Sequence, residues 1–208
     1  MTSKLEDNKD IDPSVYSTKL INNPDLIPEY LEGLHSKNET YRYNCFKVLN
    51  SVSEKKPDLI YPHWDFFIKH LGSPNNYHKM SAVQIIGNLT AVDSENRFEN
   101  IFEDFYSNLK SQKTIVPIYV VKSSGKIVMS KPHLEGKITD MLLNIEEIHP
   151  GKQIELVKSA VIESFSDFFE KSNRKNEIID FVKRQIDSDS PKTRSVAKEF
   201  MSKWGGIV

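Results

Sequence analysis

The chain has 208 residues, enough for a sizeable core, and its 28 Lys and Arg stand against 29 Asp and Glu for a net charge of −1. That balance argues against a strongly basic, indiscriminate nucleic-acid binder. A single cysteine, Cys45, excludes an intrachain disulfide and a cysteine-based metal cluster, so an intracellular, cytoplasmic setting is the expectation. The opening MTSKLEDNKDIDPS lacks the apolar core of a signal peptide, and no run approaches about 18 uninterrupted apolar residues, so no membrane span is expected.

Residues 1–12 read as a flexible tail, with Leu5 and Ile11 the only large apolar side chains among many charges. Asp12-Pro13 then opens a short cap helix over 13–22. From Pro24 the pattern becomes two helices per unit. Pro24-Asp25-Leu26-Ile27 returns word for word as Pro57-Asp58-Leu59-Ile60, with a further proline nearby in each, Pro28 and Pro62. First helices (A) are expected to start at Pro24, Pro57, Ser94, Pro132 and Asn173, and second helices (B) at Ser36, Ser73, Ser111, His149 and Ser190. This gives repeats of approximately 24–56, 57–93, 94–131, 132–172 and 173–206 within one domain, 13–208.

Each helix carries an apolar stripe at helical spacing. Ala82, Ile85, Ile86 and Leu89 form one, Phe98, Ile101, Phe102, Phe105 and Leu109 a second, and Leu134, Ile138, Met141, Leu142 and Ile145 a third. The segment TIVPIYVVKSSGKIVMS reads as a strand in isolation, but its place in the ladder of repeats makes it a helix, with a kink expected at Pro117. Glycine after Trp204 is expected to end the last helix in the left-handed conformation.

A helix opening Pro-Asp-Leu-Ile, a second proline a turn later, a polar turn, and a helix reading basic, two residues, small, resembles the HEAT repeat of the armadillo-like class. The basic-to-small step stands as Arg42 to Cys45, Lys79 to Ala82 and Arg194 to Ala197; Pro117 and Val157 replace the basic residue in the third and fourth units. The resemblance implies an all-α, right-handed α-α superhelix of about five hairpins, with B helices lining the concave wall. Such folds serve many purposes, so the fold alone names no function.

Charge follows the same division. The B segments 38–56, 72–93, 111–131, 150–172 and 190–208 total +8, and the A segments 24–37, 57–71, 94–110, 132–149 and 173–189 total −8. In register with Ala82, the expected partner-facing positions are Lys47, Gln84 and Lys122, and one turn later Asn88, Lys126 and Lys203; Glu163 and Asp167 interrupt them. The expectation is a non-catalytic scaffold or adaptor whose basic face is suited to holding an acidic peptide or a helix of another protein. Arg42, Lys79 and Arg194 are assigned instead to binding neighbouring turns.

No cofactor or metal site is expected. The six histidines include no pair at i, i+4 and no HExxH, and there is no phosphate loop and no nucleophile elbow. One alternative is nucleic-acid binding, because small HEAT-like proteins include DNA glycosylases with a basic concave face and a catalytic carboxylate. Here Trp64 and Trp204 fall on an A helix and at the chain end, away from a base in mid-groove, and the net charge is low.

Overall fold

The computed structural model describes Leu5 and residues 11–206, and among these the secondary structure is helical, with no strand. The helices are α1 Pro13–Asn22, α2 Ile27–Gly33, α3 Glu39–Lys55, α4 Pro57–Ile60, α5 Trp64–Leu71, α6 Asn76–Leu89, α7 Arg97–Ser107, α8 Ile115–Ser130, α9 Glu135–Leu143, α10 Ile145–Ile148, α11 Ile154–Phe168, α12 Lys175–Lys183 and α13 Pro191–Trp204. Packing groups them into two compact units, Met1–Arg97 and Phe98–Val208. The division falls at the start of α7, three residues past the expected opening of the third repeat at Ser94. The tail was expected to be flexible, yet its two apolar side chains Leu5 and Ile11 are buried, and the Leu5 carbonyl accepts from Asn44 Nδ2 at 2.8 Å. The other residues of 1–10 lie outside those described.

The prolines explain how the A segments are cut. Pro24–Leu26 is a single 3₁₀ turn, and Pro28 sits in the first turn of α2, where its missing N–H costs no bond. The second copy repeats the device: Pro57 opens α4, and Pro62 lies in the turn Tyr61–His63 before α5. Helix starts on the B side lie one to five residues later than expected, and before α3, α6 and α8 a serine turn accounts for the delay. Ser36, Ser73, Ser111 and Ser188 each accept a hydrogen bond from the amide two residues on, forming a turn before the helix. Asn38, Asn75 and Ser190 are then the true caps, accepting from the amides of Tyr41, Tyr77 and Thr193.

In the first unit α3 packs on α1, α2 and α6, and α5 packs on α6; in the second, α11 lies between α8 and α13, and α12 packs on α13. Side-chain hydrogen bonds within each unit recur at one repeat length. Tyr61 to Asp93, Ser51 to Ser17, Asn88 to Ser53, Lys131 to Glu99, Ser172 to Glu135 and Thr193 to Glu155 span separations of 32 to 38 residues. Most of the expected stripe residues are core, with Ala82, Ile85, Ile86, Leu89, Phe98, Phe105, Ile138, Leu142 and Ile145 fully buried, while Ile101, Leu134 and Met141 are only half-buried. Phenylalanines are concentrated in the second unit. Phe98 meets Phe105 edge-on, Phe165 meets Phe181, and Phe169 packs against Phe200 and Trp204.

Two local expectations are corrected. Pro117 stands third in α8, where its amide would have no partner inside the helix, so the physical reason for a kink disappears. Gly205 ends α13 in the right-handed region at φ −65°, and no described glycine has positive φ. What requires glycine there is closeness, since a Cβ would come within 2.6 Å of the Met201 carbonyl oxygen.

Candidate functional site

The residues expected to face a partner meet different fates. Asn88 is buried, 7% exposed, and donates to Ser53 Oγ at 2.9 Å and to Asn50 Oδ1 at 3.3 Å; it joins α6 to α3 and presents nothing outward. The register was sound for Ala82, but α3 packs closely enough on α6 to cover the next turn. Gln84 is half-exposed and donates to the Met80 carbonyl at 3.2 Å. Lys122 is exposed and bridges to Glu163 at 3.1 Å, and Glu163 also bridges to Lys192 at 3.4 Å. The carboxyl of Asp167 is pushed up by burial and drawn down by the Lys126 ammonium. Acidic side chains expected to interrupt the basic face therefore neutralise it from within the second unit. Lys203 lies over the Trp204 ring at 4.3 Å.

Lys47 is half-buried and has an aromatic neighbour. Its ammonium sits 4.9 Å from the ring of Tyr43, a residue 49% exposed. Tyr43 lines an open cleft of about 460 Å³ with Glu39, Thr40, Arg42, Asn44 and Tyr77, formed by the first turns of α3 and α6. Arg42 is held by its own turn, as assigned: Nη1 donates to the Ser36 carbonyl at 2.8 Å, and the guanidinium lies 4.8 Å from the Tyr77 ring. Arg194 repeats that bond on the carbonyl of Ser188. Tyr77 in turn donates to the Arg42 carbonyl at 3.1 Å.

The second constellation joins three histidines that are far apart in sequence. His35 follows α2, His70 ends α5 and His78 opens α6, and one ligating atom of each lies within 4.8 Å of the others. His35 Nε2 and His70 Nε2 are 2.8 Å apart, and the rings of His70 and His78 stack at 4.4 Å with an 8° interplanar angle. Outer partners hold the far sides: His78 Nδ1 is 3.1 Å from Ser73 Oγ, and His35 Nδ1 is 4.0 Å from Glu32. Phe66 packs at 4.3 Å on the His70 ring. Burial, reinforced by the neighbouring imidazoles, pushes His70 down to about 4, and His78 is lowered mainly by burial too. His70 and His78 are thus held toward the neutral form, the one that can offer a lone pair to a cation.

The cluster leaves no ligand spacing along any one helix, because its members come from three elements. The usable signal was the repeat itself: His35 and His70 occupy equivalent places, at the ends of the first two A segments, and His78 follows one polar turn later. No helix among the described residues is long and apolar enough to cross a membrane. Compared with known proteins, the chain matches no family model and no curated protein.

Proposed function

We propose that the chain is built of HEAT-like helical hairpins and serves as a non-catalytic scaffold that holds an acidic peptide segment of a partner protein. The observation that carries this reading is the cleft at the first turns of α3 and α6, where the half-exposed Tyr43 ring is offered beside Lys47 and Arg42. An exposed tyrosine costs little side-chain entropy to fix and gives a large contact area. Arg42 lines the same cleft and, fixed by its bond to the Ser36 carbonyl, brings a positive charge to which a carboxylate is drawn. The hairpin reading draws support from the hydrogen bonds at one-repeat separation and from the duplicated Pro-Asp-Leu-Ile turn. Neutralisation of Lys122 by Glu163 favours a protein partner over a phosphate backbone.

Selection from a displayed random-peptide library is the direct test. Enriched peptides are expected to be acidic with an aromatic or aliphatic anchor, and to lose at least about tenfold in affinity against Tyr43→Ala, the loss of about 1.4 kcal/mol typical of an anchor. Peptides that bind Tyr43→Ala and Lys47→Glu as well as the wild type overturn the site. Tight duplex-DNA binding with a steep salt slope overturns the class of partner.

A further inference from the structure

We propose that His35, His70 and His78 form a binding site for a divalent transition-metal ion, zinc in the first place, which ties the end of one helical hairpin to the turn of the next. Three imidazoles converge from three elements, α5, α6 and the segment after α2, so the site depends on the packing of the first unit. Imidazole nitrogen suits zinc, and three such ligands with an open fourth position are an established coordination set. Zinc–nitrogen bonds of about 2.0–2.1 Å in a tetrahedron place neighbouring nitrogens roughly 3.3–3.4 Å apart. The His35–His70 pair, now at 2.8 Å, has to open by about half an ångström to meet that spacing, and the His70 and His78 rings, stacked 8° from parallel, have to turn so that both ring planes pass through the ion.

The arrangement is poorly satisfied by hydrogen bonding alone. Two Nε2 atoms share a single bond, and His70 Nδ1 is buried with no partner. The outer contacts are those that orient metal-bound histidines: a hydroxyl, Ser73 Oγ, at His78 Nδ1, and a carboxylate, Glu32, beside His35 Nδ1. Both leave Nε2 turned inward. Phe66 lies against His70 and His35 and forms an apolar wall. The side chain of His35 is 45% exposed, which marks the open side where water or a ligand atom of a partner completes the tetrahedron. The nearby Arg42 cation opposes metal binding, but it is tied to the Ser36 carbonyl and stands 3.8 Å from the Glu39 carboxylate.

The full chain, stripped with EDTA, is titrated with zinc chloride against a chromophoric chelator, and its thermal midpoint is followed with and without zinc. One equivalent is expected to bind and to raise the midpoint by several degrees. His35→Gln and His78→Gln, at positions that are not fully buried, are chosen to keep the fold, checked by helical circular dichroism, and each is expected to weaken binding by more than tenfold. Absence of stoichiometric binding by the wild type overturns the proposal. So does wild-type affinity in the double variant, which assigns the ion to surface carboxylates.

Discussion

Gly33 and Cys45 set the closest tolerance in the first unit. A Cβ built on Gly33 comes within 2.4 Å of the Cys45 sulfur and 3.1 Å of its Cβ, so α2 approaches α3 only because both residues are small. Gly33→Ala is expected to cost about 1–3 kcal/mol by overpacking. Adding Cys45→Ala should recover part of that loss, and a double-mutant cycle by urea unfolding measures the coupling. Burial also pushes the Cys45 thiol up to about 12, so this cysteine is unreactive in the folded chain. Modification by a thiol reagent at pH 8 is expected to be slow and to accelerate with denaturant; rapid stoichiometric labelling of native protein contradicts the burial. Cys45 as a core thiol was legible from its place in the basic-to-small step. Its contact with Gly33 was not, because sequence spacing says nothing of how near two helices come.

At the level of single helices, α11 carries the clearest electrostatic tie. Burial alone would push the Glu155 carboxyl up, but bonds from Lys158 and Ser188 outweigh it and hold it below the ordinary carboxylate value. Lys158 lies 2.7 Å from Glu155 and also meets Glu146. A carboxyl lowered by folding stabilises the native state above its unfolded pKa, and that contribution fades as pH falls through the folded value. Glu155→Gln should therefore flatten the loss of stability between pH 5 and the acid range, read from urea midpoints. The α3–α6 contact depends on Asn88 in a different way. Asn88→Ala leaves Ser53 without its donor and is expected to cost about 1–3 kcal/mol in urea unfolding while leaving peptide binding unchanged. The duplicated proline turn, most of each stripe and the caps Asp12 and Ser190 were readable because each is a local rule, whereas Asn38 and Asn75 cap where Ser36 and Ser73 were expected to. Asn88 misled because an outward position on one helix becomes an inward one when the next helix lies over it.

At the scale of the chain, one repeated word, Pro-Asp-Leu-Ile at 24 and 57, suggested the period, and side-chain bonds within each unit span 32 to 38 residues. The histidine cluster was the part hidden from a linear reading. Its members are ordinary in their own segments and acquire meaning only once the helices of the first unit pack together. The charge division between A and B segments was legible too, but not its cancellation, since the partners of Lys122 and Lys126 lie on a different helix of the second unit. Charge totals count residues and ignore which of them touch.

The two tryptophans are divided between the units. Trp64 is 1% exposed in the first and Trp204 is 5% exposed in the second. Each unit therefore holds a private optical reporter, and exciting the indoles of Trp64→Phe and Trp204→Phe variants follows one unit at a time. Zinc should shift the emission transition seen through Trp64 and leave that seen through Trp204 in place, unless the units melt as one cooperative body, in which case both curves move together.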